Sequence, residues 1–518
     1  MSILRVENLC FTYAGANSPA VNNVSLEINQ GEILLVAGRS GSGKSTLLGL
    51  LKPEIRGKGQ MTGEIFLDGQ PLPDVTNRET VAKIGYLCQS PENQIVTDKV
   101  YRELTYGLEN LGLPQPEIMA RCAEISAFLG ISHLFRKNTW ELSGGQKQVV
   151  NLASLLVMEP KVLLLDEPTS KLDPVAAEEF LYLLQRVKNE FGLAIILVEH
   201  DLDKVVHLCD KMCILDQGQV QAYGTPREVL EQLPQGYRGT TAWRLWKGSK
   251  AKGPCPITLS EIRQYVIENF AKKTLDLSQA KTWDQQVLEC KDLWFRYAKG
   301  QDYCLRGVDI VLHSGEFRCV MGGNGCGKST LLKAISNKEK GVIVSKGQRI
   351  AKLPQDVTEL FLHDTVLGEL EYVEGDRDRI MSMCHSMGIE ALLDRNPLKL
   401  SGGEQRKVAL AKVMLCNPTI LLLDEPTGSL DDRGKEDLLQ LVLEMKNSGV
   451  AILAVTHDAE LVAKGDTVSV LFDGSMSEGQ EPHTFLRENR FFTTKTVSVC
   501  RDWIDGAVTT EEALENDC

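Results

Sequence analysis

Short apolar runs, each closed by a glycine-rich or charged turn, recur along the chain. ILLVAG at 33–38 is one; a glycine-rich turn follows, and then STLLGLL with apolar residues at helical spacing. VLLLDEP at 162–168 and AIILVEH at 194–200 are two more. Between them EEFLYLLQRVKNE has the 3.6-residue period of an amphipathic helix. Strands apolar on both faces and separated by helices predict a parallel sheet covered on both sides. FRCVMGG, ILLLDEP and AILAVTH repeat the layout further on. The fold class expected is α/β, written twice.

The repeat is long. GRSGSGKST at 38–46 returns as GGNGCGKST at 322–330, LSGG at 142 returns at 400, and LLLDEPT at 163 returns at 421. The offset between copies is 284 at the first motif, 266 at a glutamine (Gln89, Gln355) and 258 from LSGG onward. The second copy has therefore lost 18 residues and then 8. The domains expected are 1–235 and 287–485, joined by a linker or accessory segment over 236–286 and followed by a tail over 486–518. GPCPITLSEI, of mixed composition, marks the joining segment, which shows no copy elsewhere.

Composition narrows the function. Of 518 residues, 57 are Lys or Arg and 70 Asp or Glu, a net charge of −13, which argues against wrapping nucleic acid. No apolar run approaches the roughly 18 to 20 residues of a membrane span. Arg5 and Glu7 stand where a signal peptide has its apolar core, so the expectation is a cytosolic chain. Fourteen cysteines without a framework read as reduced thiols. Cys209 with Cys213, and Cys384 beside His385, lack a second pair at zinc spacing.

The chemistry sits at the turns. G-x-x-x-x-G-K-S occurs twice between a strand and a helix, where glycines let consecutive N–H groups and a helix N-terminus close round phosphate. The first loop is Gly38, Arg39, Ser40, Gly41, Ser42, Gly43, Lys44, Ser45 and Thr46; the second is Gly322, Gly323, Asn324, Gly325, Cys326, Gly327, Lys328, Ser329 and Thr330. Lys44 and Lys328 are expected on the β and γ phosphates, Ser45 and Ser329 on Mg²⁺. Asp166 and Asp424 end buried runs, at the lip where open α/β sheets bind ligands, and are expected in the metal shell. Glu167 and Glu425 follow, expected on the opposite side of the strand and suited to polarising a water at the γ phosphate. A serine and two glycines at a helix start (Ser143, Gly144, Gly145; Ser401, Gly402, Gly403) make a second anion-binding end.

Phosphate loop, LSGGQ, LLLDEP and a histidine after the next strand together resemble the nucleotide-binding domain of ABC ATPases. The chain resembles two of them fused, over about 450 of its 518 residues. The resemblance implies two tandem P-loop NTPase domains, each a mainly parallel sheet core with an antiparallel β subdomain and a helical subdomain. It makes Gln89 and Gln355 the loop glutamines that touch Mg²⁺ and relay to a transport partner. His200 and His457 become the switch histidines on the γ phosphate, and Asp173 and Asp431 fall on the dimer-interface loop. Tyr13 and Tyr297 fall where an aromatic stacks on adenine, although LCFTY and LWFRY also fit strand aromatics in a core. In the family the domains face head to tail, here an intramolecular dimer. Lys44, Glu167 and His200 would then work with Ser401–Gly403, and Lys328, Glu425 and His457 with Ser143–Gly145. Neither site lacks a glutamate, histidine or serine, and both are expected to hydrolyse ATP.

CQSPENQIVTDKVYRELTYGLENLGL at 88–113 is similar to the loop after the glutamine in energy-coupling factor (ECF) ATPases. Those drive uptake of vitamins and transition-metal ions with an integral membrane scaffold (T) subunit and a substrate-capture (S) subunit, from the inner face of the membrane. LPQDVTELFLHDTVLGELEY at 353–372 lacks the Pro of PENQ and the second Gln of QSPENQ. The rival is a soluble tandem ABC protein of ribosomes or nucleic acid, which needs a long, highly charged helical linker and basic surface. Residues 225–287 hold ten Lys/Arg and six Asp/Glu, broken by Gly and Pro, which favours transport. A tandem sugar-importer ATPase is disfavoured by PENQ and by two intact sites.

Overall fold

The computed structural model describes residues 2–234, 236–249, 253–275, 283–298, 300–428 and 430–515. Parts of the expected joining segment (250–252, 276–282) and the last three residues of the tail lie outside them. The chain divides into two compact units, Met1–Ile262 and Arg263–Cys518.

In the first unit the strands are β1 (Ser2–Tyr13), β2 (Val21–Asn29), β3 (Ile33–Ala37), β4 (Gly59–Leu67), β5 (Gln70–Pro71), β6 (Ile84–Leu87), β7 (Val162–Asp166), β8 (Ala194–Val198), β9 (Lys211–Asp216) and β10 (Gln219–Gly224). They form an antiparallel sheet, β2-β1-β4-β5, and a six-stranded sheet, β10-β9-β3-β8-β7-β6, parallel except at β10. All five residues of β3, β7 and β8 are buried, which explains their unbroken apolar runs. Alternation along β3 serves two cores. Ile33, Leu35 and Ala37 face the helical segment; Leu34 and Val36 face the antiparallel sheet and the helix Lys44–Leu51. Each of the Ile, Leu and Val side chains contributes about 1.5–3 kcal/mol by leaving water, so the lip carrying the motifs rests on a well-packed floor.

The second unit has β11 (Lys273–Thr274), β12 (Gln286–Phe295), β13 (Leu305–His313), β14 (Phe317–Met321), β15 (Val342–Val344), β16 (Ile350–Leu353), β17 (Ile420–Asp424), β18 (Ala451–Val455), β19 (Thr467–Phe472), β20 (Ser475–Met476) and β21 (Ile504–Asp505). Its main sheet, β16-β17-β18-β14-β19-β20, matches the first strand for strand. The first deletion removes structure from the antiparallel sheet, which keeps three strands, β13-β12-β15. The second trims the helical segment. Val100–Asn110 and Gln115–Phe128, of 11 and 14 residues, correspond to Val366–Glu371 and Arg377–Met387, of 6 and 11.

The segments after the two sheets follow one plan that the sequence hides. In the first, Thr225 caps the helix Pro226–Glu231, Thr240 caps Thr241–Gly248, and Thr258 with Glu261 opens Leu259–Asn269. In the second, Glu481 caps Pro482–Glu488, Thr494 caps Lys495–Cys500, and Thr509 with Glu512 opens Thr510–Glu515. Arg227 pairs with Glu261 at 2.8 Å, and His483 with Glu512 at 3.0 Å. Residues 236–269 therefore do have a structural counterpart, in the tail. Trp243 donates to the Leu230 carbonyl, and Cys255 and Ile257 pack against the core of the first unit, which ends at Ile262. β11 pairs with β21 within the second.

Candidate nucleotide sites

Each phosphate loop is shaped by walls that only glycine fits. A Cβ on Gly38 would lie 2.0 Å from the Leu215 carbonyl oxygen, and one on Gly43, at φ 101°, 2.3 Å from that of Ala20. The lysine folds back into its own loop: Lys44 Nζ donates to the Gly38 and Arg39 carbonyls, both at 2.8 Å. Lys328 does the same to Gly322 at 2.8 Å and Gly323 at 3.1 Å. Both cations are buried and stand ready to exchange carbonyls for phosphate oxygens. Arg39 is drawn outward, donating to the Gly236 carbonyl at 2.7 Å.

The strand that ends at the aspartate brings the hydroxyl and carboxylate together. Ser45 Oγ donates to Asp166 Oδ1 at 3.1 Å, and Ser329 Oγ to Asp424 Oδ1 at 3.0 Å. Burial pushes both aspartates above the usual carboxylate range, against the lowering effect of those serines. The expected alternation to the opposite side of the strand does not place the glutamates, because β7 and β17 stop at the aspartates. Glu167 (φ 48°) and Glu425 (φ 45°) instead turn into left-handed backbone, their amides still bonded to Val198 and Val455 at 3.0 Å. A non-glycine residue held there stores strain on the order of 1–3 kcal/mol, a mark of functional positions.

Around the glutamates the copies differ. Glu167 Oε1 lies 2.8 Å from His200 Nε2, and Oε2 accepts from Gln89 Nε2 at 2.6 Å. Glu425 lies 2.9 Å from His457 Nδ1, off the hydrogen-bonding direction, accepts from the His457 amide at 3.3 Å, and is 3.6 Å from Lys328 Nζ. Burial pushes Glu425 up, but His457 and Lys328 outweigh it and hold the carboxyl below its ordinary value. Gln89 is thus joined to its glutamate. Gln355 is exposed, and its main-chain carbonyl accepts from Arg406 at 3.0 Å.

Several residues outside the predicted site set also position it. Gln94, the last of PENQ, accepts from Cys88 N and donates to the Tyr86 carbonyl, tying the Gln89 loop to β6; Leu360 stands there in the second copy. Tyr86 donates to Asp166 Oδ2 at 3.2 Å, where the second unit has Lys352, 3.7 Å from Asp424 Oδ2. Gln148 and Arg406 occupy one position behind the DEP turns: Gln148 donates to Pro168 O, Arg406 to Glu425 O and Pro426 O, and burial brings the guanidinium down to about 10. The residue types differ between the copies at these positions (Tyr86 and Lys352, Gln94 and Leu360, Gln148 and Arg406), so the repeat gave no signal for their roles.

The remaining predicted residues sit at caps and rims. Ser143 and Ser401 each open a helix through a capping box with Gln146 and Glu404, the paired glycines forming its first turn. Asp173 and Asp431 cap the helices Pro174–Phe191 and Asp432–Asn447, accepting from Ala176 N and Gly434 N at 2.9 Å. Tyr13 and Tyr297 are exposed, their hydroxyls 3.0 and 3.1 Å from Thr46 and Thr330 Oγ1, beside the loops and outside the core. Cys326 takes the place of Ser42, and burial raises its thiol.

Residues 21–170 and 305–428 match the ABC transporter family. A Bacillus cereus protein bearing the name of an ABC transporter ATP-binding protein is 36% identical, aligned over 98% of this chain and 97% of its own. YkoD of Bacillus subtilis, named for HMP/thiamine import ATP binding, is 31% identical over 94% and 93%. The solved complex of archaeal ribosomal stalk protein aP1 with ribosome recycling factor aABCE1 is similar over 92% of this chain at 19% identity and a TM-score of 0.60, a likeness of fold alone. With both phosphate loops inside the matched regions and relatives aligned along nearly their whole length, the chain belongs to the ABC transporter family, as an ATP-binding protein with ATPase activity.

Proposed function

We propose that this chain is the motor of an ECF-type importer, using ATP at two sites to drive uptake of a vitamin or transition-metal ion through membrane scaffold and capture subunits. The observation that carries the motor is the gathering of Lys44, Ser45, Asp166, Glu167, Gln89 and His200 at one lip, and of Lys328, Ser329, Asp424, Glu425 and His457 at the other. The importer assignment is supported by the PENQ loop and by the import name of one full-length relative. No helix among the described residues is long and apolar enough to cross a membrane.

Chemically, the loop amides and Lys44 or Lys328 grip the β and γ phosphates. Ser45 Oγ, Asp166 and the Gln89 carbonyl oxygen are hard oxygen donors, as are Ser329, Asp424 and Gln355, a set that suits Mg²⁺. Mg²⁺, when bound, offsets phosphate charge and orients the triphosphate. Glu167 and Glu425 take up the proton of an attacking water, oriented by His200 and His457. Tyr13 and Tyr297 offer a ring face to adenine. On the family resemblance alone, Ser143–Gly145 and Ser401–Gly403 serve the nucleotide of the other copy, and Asp173 and Asp431 the loops that meet there.

The test is fractionation of cells making the tagged chain. Sedimentation with membranes, lost when the gene for the scaffold subunit is deleted, is expected. Sedimentation with ribosomes instead would overturn the importer reading in favour of a ribosome factor.

A further inference from the structure

The two carboxylates assigned to the metal shell face different neighbours. β6 pairs with β7 so that Tyr86 lies beside Leu164, and β16 pairs with β17 so that Lys352 lies beside Leu422. These are the same position in the two copies. In the first unit a neutral phenol donates to Asp166 Oδ2 at 3.2 Å. In the second an ammonium stands 3.7 Å from Asp424 Oδ2, the carboxylate nearly sealed from water and the lysine three-quarters so. The other oxygen of each aspartate is taken by the phosphate-loop serine. A divalent ion using Asp424 must therefore share it with a fixed positive charge or drive that charge away. At Asp166 the matching position carries a neutral phenol instead.

The loop glutamine adds to the contrast. In the first unit Gln94 ties the loop to β6 and Gln89 reaches Glu167; in the second that tie is absent and Gln355 is exposed. One aspartate has a neutral neighbour and a glutamine bonded to the adjacent carboxylate, whereas the other has a cation beside it and an exposed glutamine.

We propose that Lys352 is a positioning residue that weakens divalent-metal binding at the second site, so that the two sites of one chain load Mg²⁺ at different concentrations. Opposed charges a few ångströms apart at a partly buried site attract one another more strongly than in water, so the lysine can set the affinity. The proposal rests on the assignment of Asp166 and Asp424 to the metal shell.

The experiment titrates Mn²⁺ into the full-length chain saturated with a non-hydrolysable ATP analogue and counts bound ion by electron paramagnetic resonance. Two classes of one ion each are expected, at least about tenfold apart in affinity. Asp166→Asn should remove the tight class and Asp424→Asn the weak one. Lys352→Met and Lys352→Tyr should each bring the weak class within about threefold of the tight, Lys352→Arg should leave it weak, and Tyr86→Lys should weaken the tight class. A single class in the unaltered chain, or a gap unmoved by both neutral Lys352 variants while each Asp variant still deletes one class, overturns the proposal. If neither Asp variant deletes a class, the metal-shell assignment falls and the proposal falls with it.

Discussion

Gln94 bridges its own loop to Tyr86, donating to the main-chain carbonyl at 3.1 Å while accepting the Cys88 amide at 3.0 Å. The pair pins the segment that carries Gln89. Gln94→Ala removes both bonds, each worth about 1 kcal/mol net. Amide exchange across residues 88–94 should quicken by about tenfold or more, with the rest of the sheet unaffected. Unchanged exchange there would show that the loop is held by other means.

Glu167 and Glu425 are the groups placed to accept a proton. The double variant Glu167→Gln, Glu425→Gln should bind ATP with near-normal affinity yet release phosphate at least about a hundredfold more slowly. Each single variant should leave turnover at the other site. Near-normal phosphate release by the double variant would remove the assignment.

Cys326 lies in the second phosphate loop with its thiol pushed up by burial. Because the thiolate reacts, alkylation should be slow at pH 7 and accelerate as pH rises toward the elevated value. ATP with Mg²⁺ should protect, and Cys326→Ser should be insensitive. Equal inactivation of Cys326→Ser would place the sensitive thiol elsewhere.

Glu199 is buried beside Thr169, whose amide and hydroxyl both donate to Oε1, and burial raises its carboxyl to about 7. A carboxyl raised on folding favours the folded state while protonated in both forms. That advantage is lost as pH climbs from the ordinary carboxylate range through 7, to a total of up to about 3 kcal/mol. Glu199→Gln keeps the acceptor without the charge, so it should raise Tm at pH 8.5 and change it little at pH 5. An equal shift at both values would mean that ionisation is not the cause.

The lip chemistry is legible in the sequence because each piece is local: Gly38 to Ser45 is one turn, and Asp166 ends one apolar run, repeated in register. The α/β layout is legible for the same reason, since strands buried on both faces leave no polar gaps. What the sequence hides is tertiary. Tyr86 and Lys352 stand in unremarkable strands and become a pair only when β6 and β16 lie against the aspartate strands. Gln94 reads as a polar turn until its two bonds are seen. The likeness between residues 236–269 and the tail lies in capping threonines and two ion pairs, which few identical residues record.

The contact between Gly38 and the Leu215 carbonyl leaves no space for even a methyl group, so the anion-gripping turn and the end of β9 form one solid block. Such a block cannot serve as a hinge. Any movement during a working cycle is therefore expected in segments that are not wedged against a carbonyl in this way.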